Sequence, residues 1–169
     1  GRSRANRASV ARSWVSAARL RLDLDSTDDP THGDQERTAY HAYYGQHMYH
    51  PLLIFDGDTN QLITAILRPG NAHASRGVLT VLRALVPAIR RRWPGLPIEL
   101  RADSGFAVPA LYDYCEDEAI AYRIGLIPNP RLEALAAPLL AQAEARREQT
   151  GEEKVRLVGE TAYQAGSWP

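Results

Sequence analysis

Cysteine, lysine and methionine are nearly missing from this chain of 169 residues: Cys115 is the one cysteine, Lys154 the one lysine and Met48 the one methionine. A lone cysteine excludes an internal disulfide framework, and a reducing compartment is expected. No run of about 18 apolar residues occurs, so no ordinary membrane-spanning helix is expected. Gly1-Arg2-Ser3-Arg4 lacks the apolar stretch of a signal peptide. With no initiator methionine at the start and Gly166-Ser167-Trp168-Pro169 at the end, the chain is expected to be part of a longer protein. A net charge of one sign is missing too. Twenty basic and twenty acidic residues cancel, so the basic excess of a dedicated nucleic-acid-binding module is not present.

The composition is 44% hydrophobic and 24% charged, that of an ordinary globular domain with enough chain to bury a core. The charge is unevenly spread. Residues 1–21 carry Arg2, Arg4, Arg7, Arg12, Arg19 and Arg21 without an acid, and Arg90-Arg91-Arg92 forms a second cluster. Arginine can grip phosphate with two parallel bonds, which lysine cannot. A coding sequence rich in G and C would produce the same bias.

Hydrophobic periodicity orders the chain into elements. Val10, Trp14, Val15 and Ala18 suggest a helix over 5–19. Leu20, Leu22 and Leu24 alternate as a strand that ends in Asp23-Leu24-Asp25-Ser26-Thr27. Residues 26–37, with Pro30 and Gly33, read as a long loop. Two β-rich runs, 47–55 and 61–67, flank Asp56-Gly57-Asp58-Thr59-Asn60 and read as a hairpin. Val78, Leu79, Leu82, Leu85, Val86 and Ile89 give a helical period over 75–92, with Pro87 predicting a kink or an early stop. Ile98 and Leu100 lead a strand into Arg101-Ala102-Asp103-Ser104-Gly105-Phe106. Pro109 is placed to open a helix over 108–118. A strand over 120–127, a polar-faced helix over 131–148 and one or two strands around Val155, Leu157 and Tyr163 complete the order.

A strand, a hairpin, then helix, strand, helix, strand predicts three antiparallel strands followed by parallel strands, flanked by helices. This is the order of the ribonuclease H-like α/β fold, truncated here at its C-terminal side. The expected domains are an arginine-rich helix at 1–19, a catalytic core at 20–148 and the start of an inserted β segment at 149–169. In this sheet the first and fourth strands are neighbours, which brings Asp25 and Asp103 together at adjacent strand ends. Alone, each acid reads as a turn or helix cap. Paired, they are suited to holding a divalent cation. Asp25 is preferred to Asp23, which is expected on the opposite face of the strand.

Asp23-Leu24-Asp25-Ser26-Thr27 also matches the D-x-D-x-T pattern of haloacid dehalogenase-like phosphatases, with Asp23 as nucleophile and Asp25 as acid/base. That family needs a later lysine, and Lys154 sits in a charged turn far along the chain. The hairpin does not suit its parallel sheet either. His47 and His50 have no cysteine beside them, so a zinc site is not expected. Tyr40, Tyr43, Tyr44 and Tyr49 read as half-buried packing, or as surfaces on which a flipped or single-stranded base can stack.

Five blocks, in order, carry a more specific signal: Leu22 to Glu36, Tyr43-Tyr44-Gly45, His50-Pro51-Leu52-Leu53-Ile54-Phe55, Leu67-Arg68-Pro69-Gly70-Asn71-Ala72-His73-Ala74-Ser75, and Arg101 to Phe106. Together they resemble the DDE transposases of bacterial insertion sequences. The resemblance implies a polynucleotidyl transferase that uses two Mg²⁺ or Mn²⁺ ions for metal-dependent cleavage and strand transfer of transposon DNA. Its partners would be transposon ends and target DNA. A homodimer in the active complex, no membrane association, and a cytoplasmic, nucleoid-associated location follow from the same resemblance. Asp25 and Asp103 match the first two family acids and metal ligands, and Arg68, Arg101 and His73 are the candidate DNA contacts. The third acid, a glutamate on a later helix, has no match: Glu116, Glu118 and Glu133 are misplaced, and Glu160 lies in the segment expected to be β. It is expected beyond Pro169. A non-catalytic DNA-binding remnant of a transposase is the alternative.

Overall fold

Strict alternation along Leu20–Ser26 builds strand β1: Leu20, Leu22 and Leu24 are buried, while Arg21, Asp23 and Asp25 stand on the other face. The computed structural model describes residues 19–33 and 35–165, so the helix expected over 5–19 lies, but for Arg19, outside the described residues. β2 (Asp29–Pro30), β3 (Ala39–His41), β4 (Gln46–Tyr49), β5 (Leu52–Asp56) and β6 (Gln61–Ile66) follow, then helix α1 (Val78–Arg92), β7 (Ile98–Ala102), a 3₁₀ turn (Ser104–Phe106), α2 (Pro109–Asp117), β8 (Ala121–Ile124) and α3 (Pro130–Thr150).

Five strands form one sheet in the order β6-β5-β1-β7-β8. β5 pairs antiparallel with β1 and with β6, whereas β7 runs parallel to β1 and β8 parallel to β7. This is the ribonuclease H-like order expected from the sequence, with the first strand beside the fourth of the sheet. The parallel pairing joins Leu20 to Ile98, Leu22 to Leu100 and Leu24 to Ala102.

One side of the sheet carries the core. Leu20, Leu22, Leu24, Leu52, Ile54, Ile98 and Leu100 pack with Val78, Leu82, Val86 and Ile89 of α1 and with Leu111, Tyr114 and Cys115 of α2. The spacing of four, four and three residues along α1 places its apolar side chains in one stripe. Pro109 occupies the first turn of α2, where no intrahelical N–H is needed.

Local differences from the sequence expectation have local causes. α1 does not stop at Pro87 but runs on to Arg92, because Val86 and Ile89 remain buried on either side of the proline. The run 47–55 is divided at His50-Pro51. β4 leaves the main sheet and joins a three-stranded sheet in the order β2-β4-β3, which also claims part of the expected loop. Proline lacks the N–H that a continuous ladder would require. Tyr40, Tyr43 and Tyr44, expected to be half-buried, are 55%, 86% and 41% exposed on this small sheet and its turn.

The chain divides into two compact units, at Leu126/Ile127. In the second, Asn129 caps α3 by accepting from the backbone N–H of Arg131 and Leu132, and Gly151 closes it at φ 67°. Asn129 Nδ2 donates to the Tyr163 hydroxyl at 3.1 Å, and Arg131 stacks over the Tyr163 ring. Residues 151–165, where strands were expected, contain none; side-chain bonds to the start of α3 hold this segment instead of a sheet ladder. No described helix is long and apolar enough to cross a membrane.

Candidate active site at the ends of two parallel strands

The parallel register of β1 and β7 is a constant offset of 78 residues, seen in the Asp23–Arg101 pair. Asp25 and Asp103 share that offset, one position beyond the last register pair, Leu24 and Ala102. Both acids, with Asp23, Phe55, Asn60 and Arg101, line a shallow cleft of about 250 Å³ on the polar side of the sheet.

Asp25 is exposed, and its Oδ1 accepts from the Ser26 backbone N–H at 2.8 Å. Asp103 caps the 3₁₀ turn, its Oδ1 accepting from the Gly105 N–H at 2.8 Å. Cap and candidate ligand are therefore the same residue: the backbone bond engages one carboxylate oxygen, and the second has no bond among those described. Among the described residues, neither acid is in an ion pair. Two carboxylates that no cation pairs fit hard cations such as Mg²⁺ or Mn²⁺, which take oxygen ligands. They form an open set, because no group of three or more His, Cys, Asp or Glu suited to a metal occurs among the described residues.

Asp23 is not on the opposite face. Residues two apart on a strand share a side, so Asp23 and Asp25 face the same cleft. What separates them is charge. Arg101 donates from Nε to Asp23 Oδ1 at 2.9 Å and from Nη2 to Oδ2, occupying the whole carboxylate. This bond and the charge of Asp23 raise the Arg101 pKa further, leaving the guanidinium permanently charged.

Arg68, expected as a phosphate contact, is instead 5% exposed. Its Nε donates to the His50 carbonyl at 2.8 Å, its Nη1 to the carbonyls of Ala74 and Arg76 at 2.8 Å, and its Nη2 to Ser26 Oγ at 2.8 Å. Burial, with Arg76 nearby, lowers its pKa. Arg68 thus ties the loop 72–76 to the end of β1 and has its guanidinium turned inward. His73 is exposed and pairs through Nδ1 with Ser75 Oγ at 2.9 Å. Arg101, 51% exposed as a side chain, is the one of the three candidate DNA contacts that lines the cleft.

Two residues of the polar face escaped the sequence reading. Glu99 is 6% exposed and meets Arg19, Arg21 and Arg123 at 3.3, 3.3 and 3.0 Å. Gly57 lies against Asp23 so closely that a Cβ there would be 2.6 Å from Oδ1. The signal for Glu99 was present, since it shares strand parity with Arg101 and Asp103; the contact of Gly57 has no local signature.

The sequence model of a family described as Transposase DDE domain, group 1, matches residues 7–169. No curated protein matches the chain. Among solved structures, a piggyBac transposase synaptic complex with hairpin DNA is 18% identical at a TM-score of 0.43, covering 66% of this chain and 24% of that one. A simian T-cell lymphotropic virus intasome, in complex with PP2A regulatory subunit B56 gamma, is 16% identical at 0.40, covering 78% of this chain and 43% of that one. The HTLV-2 integrase catalytic core domain in complex with magnesium is 10% identical at 0.37, with 79% and 75% covered. This chain thus spans less than half the length of the first two.

Proposed function

We propose, for a chain that belongs to the transposase DDE domain family, group 1, that Asp25 and Asp103 are the first two metal-binding acids of a DNA-cutting and strand-transfer site. The observation that carries this reading is their placement: the same 78-residue offset as the β1/β7 register, adjacent strand ends, one cleft. Asp25 and Asp103 would hold divalent cations, which supply Lewis-acid stabilisation of the attacking and leaving oxygens of a phosphodiester. The residues of the chain do the rest. Ser26 and Gly105 fix the two carboxylates through their backbone N–H groups. Arg101 offers a permanent positive charge to a phosphate at the cleft, and a buried Arg68 keeps the adjoining loop in place.

The third acid is a residue beyond Pro169, so the reaction needs more of the protein than this chain. Transposon ends and target DNA are the substrates, two Mg²⁺ or Mn²⁺ ions the cofactors, and a homodimer in the bacterial cytoplasm the active form. Nicking of transposon-end DNA by the full-length protein, dependent on Mg²⁺ and abolished by Asp103→Asn or Asp25→Asn, is the expected result. Undiminished nicking by both variants would remove the two acids from the mechanism. The second reading, a non-catalytic DNA-binding remnant, is favoured by the open two-carboxylate set. It predicts DNA binding by the full-length protein without nicking at any Mg²⁺ or Mn²⁺ concentration.

A further inference from the structure

Asp23 lies in the cleft with Asp25 and Asp103, but its carboxylate is bonded by one neighbour and crowded by another. Arg101 uses Nε and Nη2 on it, and no described bond engages Arg101 Nη1. Gly57, in the hairpin between β5 and β6, crowds the same carboxylate. A Cβ at Gly57 would stand 2.6 Å from Asp23 Oδ1 and 2.7 Å from Cγ and Oδ2, closer than any side chain tolerates. The Gly57 N–H also donates to the Arg21 carbonyl at 2.9 Å, which ties the hairpin to β1 at this point. The backbone of Gly57 is not in the left-handed region. Glycine is needed there for space alone.

An acid beside a phosphate site is unfavourable on charge grounds, because it repels the ligand. A flexible arginine gains from such an acid only if the acid fixes its direction. Two parallel bonds do so, since the planar guanidinium then has one remaining edge to offer. We propose that Asp23 and Gly57 are positioning residues, which hold Arg101 so that its free edge receives a phosphate of the DNA strand lying across Asp25 and Asp103. This rests on the transposase reading of the site.

Charge and orientation predict opposite outcomes, so one binding experiment separates them. The full-length protein is titrated without divalent metal against a transposon-end duplex, and the affinity is followed as salt rises from about 50 to 200 mM. Losing one phosphate contact lowers the slope of log K against log salt by about 0.9, and Arg101→Ala should show this drop. Gly57→Ala changes no charge yet should show the same drop, because the added methyl group pushes Asp23 off its partner. Asp23→Asn removes a negative charge and should nevertheless weaken binding and lose the same slope.

The proposal is overturned if Asp23→Asn binds DNA more tightly with the slope intact, or if folded Gly57→Ala matches the wild type. A loss of cooperative melting in Gly57→Ala leaves the decision to Asp23→Asn, which adds no atoms to the cleft. Wild-type protein that shows no salt-dependent DNA binding would instead bring down the transposase reading itself.

Discussion

The two faces of the five-stranded sheet are made by the same strands, residue by residue, and do opposite things. On one, Leu20, Leu22, Leu24, Ile98 and Leu100 are at most 5% exposed and packed against α1 and α2. On the other, the residues between them are Arg21, Asp23, Glu99 and Arg101, joined by ion pairs, and the two acids stand at the open end. The apolar face gains stability from every atom removed from water. The charged face gains little, since each ion removed from water incurs a desolvation penalty that its partner only offsets. The difference teaches where function can reside: the apolar face holds the strands rigid, and the charged face can spend that rigidity on holding acids in place.

Breaking the apolar face should have the largest effect. Leu22→Ala at the fully buried centre of β1 should cost about 2–5 kcal/mol in urea unfolding, through lost burial and a residual cavity. Arg68→Ala comes next. It strands the carbonyls of His50, Ala74 and Arg76, and a destabilisation of about 1–3 kcal/mol is expected. Arg68→Lys should not restore it, since an ammonium cannot span the same fork of acceptors.

Cys115 tests the apolar side through pH. Burial pushes its thiol up to about 11 from an ordinary 9, so the folded state keeps the proton where the unfolded state has lost it. The stability it contributes is complete below about pH 9 and is lost as pH rises through about 11. Urea midpoints measured across that window should fall more steeply for the wild type than for Cys115→Ala, which removes this thiol and its smaller upward push on Tyr114 and Tyr122. The smallest effect belongs to the charged face. Asp25→Asn, exposed and free of an ion pair, should leave the urea midpoint nearly unmoved. A marked loss there would assign Asp25 to the scaffold rather than to the site.

Much of this contrast is legible in the sequence, because it depends on period alone. Leucine at every second residue of 20–24 and the stripe from Val78 to Ile89 disclose strand and helix, and their order leads to the sheet. Asp25 and Asp103 are legible for the same reason: each follows the last apolar residue of a strand, and the sheet order places those strands side by side. The same period puts Asp23 on the side of Asp25, and the expectation of an opposite face was mistaken on local grounds. Arg68 illustrates the limit. Its neighbours in sequence mark it as a cation in a loop near the site, but its acceptors come from residues 26, 50, 73, 74 and 76, and no pattern within a window of sequence specifies that convergence. The small sheet was hidden similarly, since a two-residue strand at Asp29–Pro30 exists only through its pairing with β4.

By itself, then, the sequence determined which residues face the core and which strand ends carry acids, because alternation and helical period are local properties of the backbone. Only the tertiary structure decided which of the acids stay available. Asp23, Asp25 and Asp103 are chemically alike and reach the same cleft, but Arg101 and Gly57, 78 and 34 residues from Asp23 in the chain, enclose the first and leave the other two open. Charge pairing acts through space over a few ångströms, and folding sets that distance.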